Sequence, residues 1–159
     1  MAGKADAPAS NIKNICRNRR ATHEYELTDK VEAGLVLTGT EVKSLRTGKA
    51  MLEDAYARLD GGALWLMGCE IPEYAQGTHN NHKPKRPRKL LLHRREVLRL
   101  GEKSTQKGFT LVPLQLYFKD GKVKVELAVG RGKQTHDKRE ALKKADAKRD
   151  IQRALARRR

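Results

Sequence analysis

Cysteine is almost absent from this chain. Only Cys16 and Cys69 occur in 159 residues, too isolated for a disulfide framework or a metal-ligand spacing. Cys69 lies in an apolar stretch and reads as a small buried hydrophobe. Aromatic residues make up 4% of the chain, so a platform of stacked rings for single-stranded nucleic acid is not the expected design. No apolar run approaches the roughly 18 residues that a membrane span needs. The start, Met1-Ala2-Gly3-Lys4, lacks the apolar core of a secretory signal. These shortages together predict a cytoplasmic protein with no membrane partner. No nucleophile motif, phosphate loop or metal set is present, and no cofactor is expected. His79 and His82 have no third ligand nearby. His136 beside Asp137 imitates a base with its orienter, but adjacent residues on an arm hold no fixed geometry. The reading is a binding protein, not an enzyme.

Acid is also scarce. Asp and Glu number 19 against 35 Lys and Arg, a net charge of +16 and an isoelectric point near 10.2. Such an excess speaks of partners and solubility rather than fold, and its first candidate partner is a polyanion. Helix-turn-helix, zinc-finger and zipper patterns are missing, which favours RNA over duplex DNA.

The body of the chain is rich in strand signals. Residues 1–11 are small and polar and are expected to be disordered. Arg17, Arg19 and Arg20 form a basic knot. Thr22 to Leu27 alternates as a strand, Thr28 to Glu32 reads as a turn, and Ala33 to Thr38 as a second strand. Thr38 or Thr40 is placed to cap a helix carrying Val42 and Leu45 on one face and Lys43 and Arg46 on another, closed by Gly48. Ala55–Leu59 and Ala63–Met67 are strands joined by Asp60-Gly61-Gly62, a hairpin signal. Trp65 reads as packing. Residues 75–89 form a loop, held extended by Pro84 and Pro87 and basic at Lys83, Lys85, Arg86, Arg88 and Lys89. An apolar run from Leu90 continues as an amphipathic helix to Gly101. Phe109–Phe118 is a strand with Pro113 marking an edge or bulge. A turn at Lys119–Lys122 leads into Val123–Val129, the cleanest alternating strand. Gly130 and Gly132 are expected to break it.

The last 29 residues carry twelve basic and four acidic side chains, 12 − 4 = +8, half of the net charge. Their composition favours helix, yet Leu142 and Ile151 fall on opposite sides of one. The segment is expected to be an arm, disordered alone and helical on a polyanion. The fold class is mainly β: an OB-fold-like antiparallel β-barrel over residues 12–130, with short flanking helices and a basic C-terminal tail over 131–159.

Six blocks in order carry a resemblance. They are Asn18-Arg19-Arg20-Ala21, His23-Glu24-Tyr25, Glu32-Ala33-Gly34-Leu35, Gly39 to Arg46, Arg88-Lys89-Leu90-Leu91-Leu92, and Gly132-Lys133 with His136 to Arg139. Together they resemble the SmpB family, small proteins that bind transfer-messenger RNA (SsrA). The resemblance implies an OB-fold barrel that binds the tRNA-like domain of that RNA, and with it delivery to stalled ribosomes for trans-translation, in which the nascent chain is tagged. It implies that Asn18, Glu32, Arg88, Lys89 and Leu91 face the RNA; the charge reading adds Arg19 and Arg20 of the basic knot, Lys43 and Arg46 of the helix and Arg86 of the loop as phosphate contacts. Lys133, His136, Asp137, Lys138 and Arg139 would serve the tail at the decoding centre of the small subunit, in the vacant message channel. The implied partners are transfer-messenger RNA, the ribosome and, through the RNA, elongation factor Tu, with the protein acting as a monomer. The tail departs from the common family pattern at Gln134 and Ala147.

Overall fold

The computed structural model describes residues 11–157, apart from the side chains of Thr135 and His136. The expectation for the N-terminus therefore falls almost wholly outside the described residues. The body is one sheet curled on itself. Strand β1 (Ile12–Arg17) leads through a single turn of helix, α1 (Ala21–Glu24), into β2 (Tyr25–Leu35). Helix α2 (Gly39–Arg46) follows, then the hairpin β3 (Tyr56–Asp60) and β4 (Ala63–Met67). After a long loop come β5 (Arg88–Leu91), α3 (Arg94–Thr105), β6 (Phe109–Lys119), β7 (Lys122–Gly132) and α4 (Thr135–Arg157).

All pairings are antiparallel, and the order β6-β3-β4-β5-β2-β7 closes because β7 also pairs with β6. Closure leaves the six strands of the ring without free edges, which would otherwise invite pairing with other chains. Strand β6 carries two neighbours on its other edge, β1 opposite residues 115–119 and β3 at the Ala57–Leu111 pair. The barrel expected from sequence is present.

The interior follows the pleat. Val123, Val125, Leu127 and Val129 of β7 point inward and are buried with Leu64, Leu66, Leu90, Leu111 and Leu116. Pro113 donates no ladder hydrogen bond, and the register slips between Pro113 and Gln115. Ordinary alternation turns Val112 and Leu114 to a second apolar cluster with Ala21 and Ala128, and the slip brings Leu116 back to the face of Leu111 in the first. Asp120 (φ 51°) and Gly121 (φ 79°) make the β6–β7 turn as their positive dihedrals require.

Four local expectations are corrected. Residues 21–24 form a helical turn, and one long strand replaces the strand, turn and strand expected over 22–38, accommodated by a bulge between Thr28 and Val31 with Asp29 at φ 49°. The run from Leu90 is strand, and α3 begins only at Arg94. Gly101 lies inside α3 and is buried; a methyl group there would stand 2.9 Å from a Leu59 methyl, so this glycine serves close helix–sheet approach. Gly130 and Gly132 belong to β7, paired with Leu27 and Tyr25. A methyl at Gly130 would sit 3.0 Å from Val112 and 3.1 Å from the Tyr25 ring, so packing, not a chain break, explains it.

Candidate nucleic-acid interface

The strongest side-chain network lies under the long loop. Thr38 opens α2, and its backbone N–H donates to Glu41 Oε2 at 2.9 Å. Glu41 is fully buried and also receives Arg86 Nε (2.7 Å), Arg86 Nη2 (2.6 Å) and Arg88 Nε (2.8 Å). Arg88 is buried too and donates to the Cys69 carbonyl at 2.6 Å and the Pro84 carbonyl at 2.9 Å. Burial alone would raise the Glu41 carboxyl, but Arg86, the Thr38 amide and Arg88 together hold it below the usual carboxylate range. His82 ties the same loop down: Nε2 donates to the Ile71 carbonyl and Nδ1 meets the Thr40 hydroxyl, both at 2.9 Å. Because a carbonyl only accepts, the ring proton sits on Nε2. This network fixes β5, and thus Lys89 and Leu91, on the barrel.

Leu91 is half exposed, at 52%. It pairs with Gly34 of β2, where a methyl group would stand 3.3 Å from the Leu91 Cβ, so the glycine makes room for it. Beside it β2, β7 and β6 present one polar face. Glu32 lies across from Glu126, and Gly34 across from Lys124, which in turn faces Tyr117. The Glu32 carboxylate accepts from the Tyr117 hydroxyl and, at 3.2 Å on each oxygen, from Lys119 Nζ. The Tyr117 hydrogen bond leads in holding Glu32 below the ordinary carboxylate range, against burial and with help from Lys119 and Lys124. Burial and then Glu32 push Tyr117 up. Glu32, Leu91 and Lys124 line one hollow of about 420 Å³ with Leu92, His93 and Glu96. The result is a fixed acceptor with ammonium groups and an exposed leucine around it.

The predicted residues divide into groups. Glu32 and Leu91 meet in this hollow, and Lys89 is exposed on the same strand as Leu91. Lys43 and Arg46 are exposed on α2, Lys43 standing 5.6 Å from the Tyr74 ring centre. Arg86 is partly buried and bonded to Glu41, while Arg88 offers no surface at all. Asn18 is also buried; its amide donates to the Leu52 and Pro113 carbonyls at 3.2 and 3.1 Å, and its Oδ1 accepts from the Ala21 N–H. Arg19 and Arg20 are exposed, Arg20 lying 3.8 Å from Glu53. Lys133 is fastened to α1, its N–H to the Glu24 carbonyl (2.9 Å) and its Nζ to the Thr22 carbonyl (3.0 Å). Asp137, Lys138 and Arg139 lie in the first turns of α4, with Asp137 where the helix field favours an anion. His136 lies there too, but its side chain is outside the described residues. Every residue from Leu142 to Arg157 is exposed.

Sequence reading missed Tyr117, Lys119 and Lys124. Alternation in β6 and β7 puts them on the outer face; their meeting with Glu32 depends on the register of three strands distant in sequence.

The chain is similar to known proteins over most of its length. The SsrA-binding protein of Acidothermus cellulolyticus is 57% identical over 152 residues, 96% of each chain. That of Nocardia farcinica is 58% identical over 146 residues, 92% of this chain and 91% of the relative. A solved structure described as "tmRNA-SmpB: a journey to the center of the bacterial ribosome" matches with a TM-score of 0.65 and 47% identity, covering 80% of this chain and 93% of the other. The family described as "SmpB protein" matches residues 15–157, and this chain belongs to the SmpB family.

Proposed function

We propose that this protein binds the tRNA-like domain of transfer-messenger RNA through the barrel face around Glu32, Leu91 and Lys124, and carries it to stalled ribosomes for trans-translation. The observation that carries the site is the hollow where the held Glu32 carboxylate, the exposed Leu91 and Lys124 meet on the barrel, with Lys119 bonded to Glu32. Glu32 supplies an acceptor for nucleobase amino and imino groups, and Lys89, Lys119 and Lys124 supply charge for phosphates. Asn18, Arg86 and Arg88 act by holding the surface rather than touching RNA. The relatives' names supply the partners, the SsrA RNA and the ribosome.

The tail is the second part of the reading. Its +8 charge and its exposed helix suit a channel walled by RNA phosphates, which an intact message would fill. The tail is an arm that lies as a helix on the small subunit, with Lys133, His136, Asp137, Lys138 and Arg139 at the decoding centre. The protein acts in the cytoplasm as a monomer without catalysis of its own, and elongation factor Tu joins through the RNA. A competition assay at fixed, near-physiological salt tests the first step. The tRNA-like domain should compete far better than an unrelated RNA of equal length or duplex DNA. Equal competition by all three would reduce the protein to a basic barrel, since nonspecific binding is set by charge and salt.

A further inference from the structure

Leu91 stands between two apolar clefts. The first, about 600 Å³, runs toward α3 and includes Ala63, Val97 and Leu98. The second, about 290 Å³, runs toward α2 and includes Leu37, Val42 and Val123. Both contain Leu91, and each has basic residues in its wall: Lys89 and Arg94 in the first, Lys122 and Lys124 in the second. Leu98 is 57% exposed, so two large aliphatic side chains face water across the first cleft. The backbone beneath is set by the ladder pair with Gly34, so Leu91 needs no reordering to act.

We propose that Leu91 is a wedge that holds apart two adjacent unstacked nucleobases of an RNA loop, one lying in each cleft. The inference rests on the RNA-binding reading above and adds the form in which the RNA is recognised. Aliphatic side chains, leucine among them, insert between base steps, and proteins read RNA chiefly at loops whose bases can be splayed out. The cations in both walls suit the phosphates that follow such bases. They argue against an apolar peptide as the occupant, and the basic tail helix is repelled by the same walls. Its own apolar residues Leu142 and Ile151 also face opposite ways.

The test uses the full chain and a series of tRNA-like domains, each with one unpaired loop nucleotide made abasic, at fixed salt. Wild-type affinity should fall on the order of tenfold at two adjacent positions. Leu91→Ala should lose about the same on intact RNA and become insensitive, within about twofold, to abasic sites at those two positions. Leu98→Ala should remove sensitivity at one of the two only. Both residues are half or more exposed, so circular dichroism and melting should show both variants folded. If the Leu91→Ala loss simply adds to every abasic loss, or the sensitive nucleotides are not neighbours, the wedge is wrong while RNA binding stands. If wild type shows no preference for the tRNA-like fold over control RNA, it is the binding reading that fails.

Discussion

Glu41→Gln keeps the shape of the side chain and removes its charge from a place without water. Glu41 and Arg88 are both fully buried, and their contact is 2.8 Å. In the variant Arg88 keeps the Cys69 and Pro84 carbonyls but loses its counter-charge, and the new amide N–H faces guanidinium donors. Breaking a buried pair by removing one partner costs about 3–5 kcal/mol. Arg86 is 28% exposed and can rehydrate, so the loss should lie near the lower end, about 3 kcal/mol. For a chain of this size, at roughly 2–4 °C per kcal/mol, that is a fall in Tm of roughly 6–12 °C. Urea unfolding followed by circular dichroism measures it directly. The pH dependence has a fixed sign. The folded Glu41 carboxyl is held below its ordinary value, so its contribution is complete above the unfolded value and is lost as pH falls through the folded one. The gap between wild type and Glu41→Gln should therefore close in acid, where protonated Glu41 resembles glutamine. A loss below about 1 kcal/mol at neutral pH, or a gap that widens in acid, would refute the view of this pair as the anchor of β5.

Other outcomes follow from the same contacts. Truncation after Lys133 should leave binding of the isolated tRNA-like RNA within about twofold while abolishing peptide tagging on stalled ribosomes; the cut spares β7 and the Lys133–α1 bonds. Gly68→Ala should destabilise the barrel by about 1–3 kcal/mol in thermal melts, because Gly68 has φ 70° and a methyl would stand 2.7 Å from the Asp54 carbonyl oxygen. Both cysteines should resist alkylation at pH 8 until the protein unfolds, since burial pushes the Cys16 thiol up to about 11 and the Cys69 thiol up to about 12.

Local patterns carried most of the fold. The alternation from Val123 to Val129 and the two hairpin turns at Asp60-Gly61-Gly62 and Asp120-Gly121 rest on neighbours in sequence, and both appear as read. Gly101 and Gly130 serve contact with distant residues, and in sequence such a glycine looks like one needed for a turn. The site was legible only in part. Glu32 and Leu91 stand out through family resemblance, whereas nothing local in the sequence tells the buried Arg88 from an exposed arginine. Its partner Glu41 lies 47 residues away. Tyr117 and Lys119 join Glu32 across 85 and 87 residues, through strand register alone.

The most direct test of the central claim is the affinity of Glu32→Ala for the tRNA-like domain at fixed salt. The substitution makes a +16 protein more positive, so simple attraction to a polyanion predicts tighter binding. A specific acceptor on the barrel face predicts the opposite, a loss of about tenfold or more, as expected for hydrogen bonds to a charged group. Weaker binding with unchanged stability would uphold the site around Glu32 and Leu91, and tighter binding would contradict it.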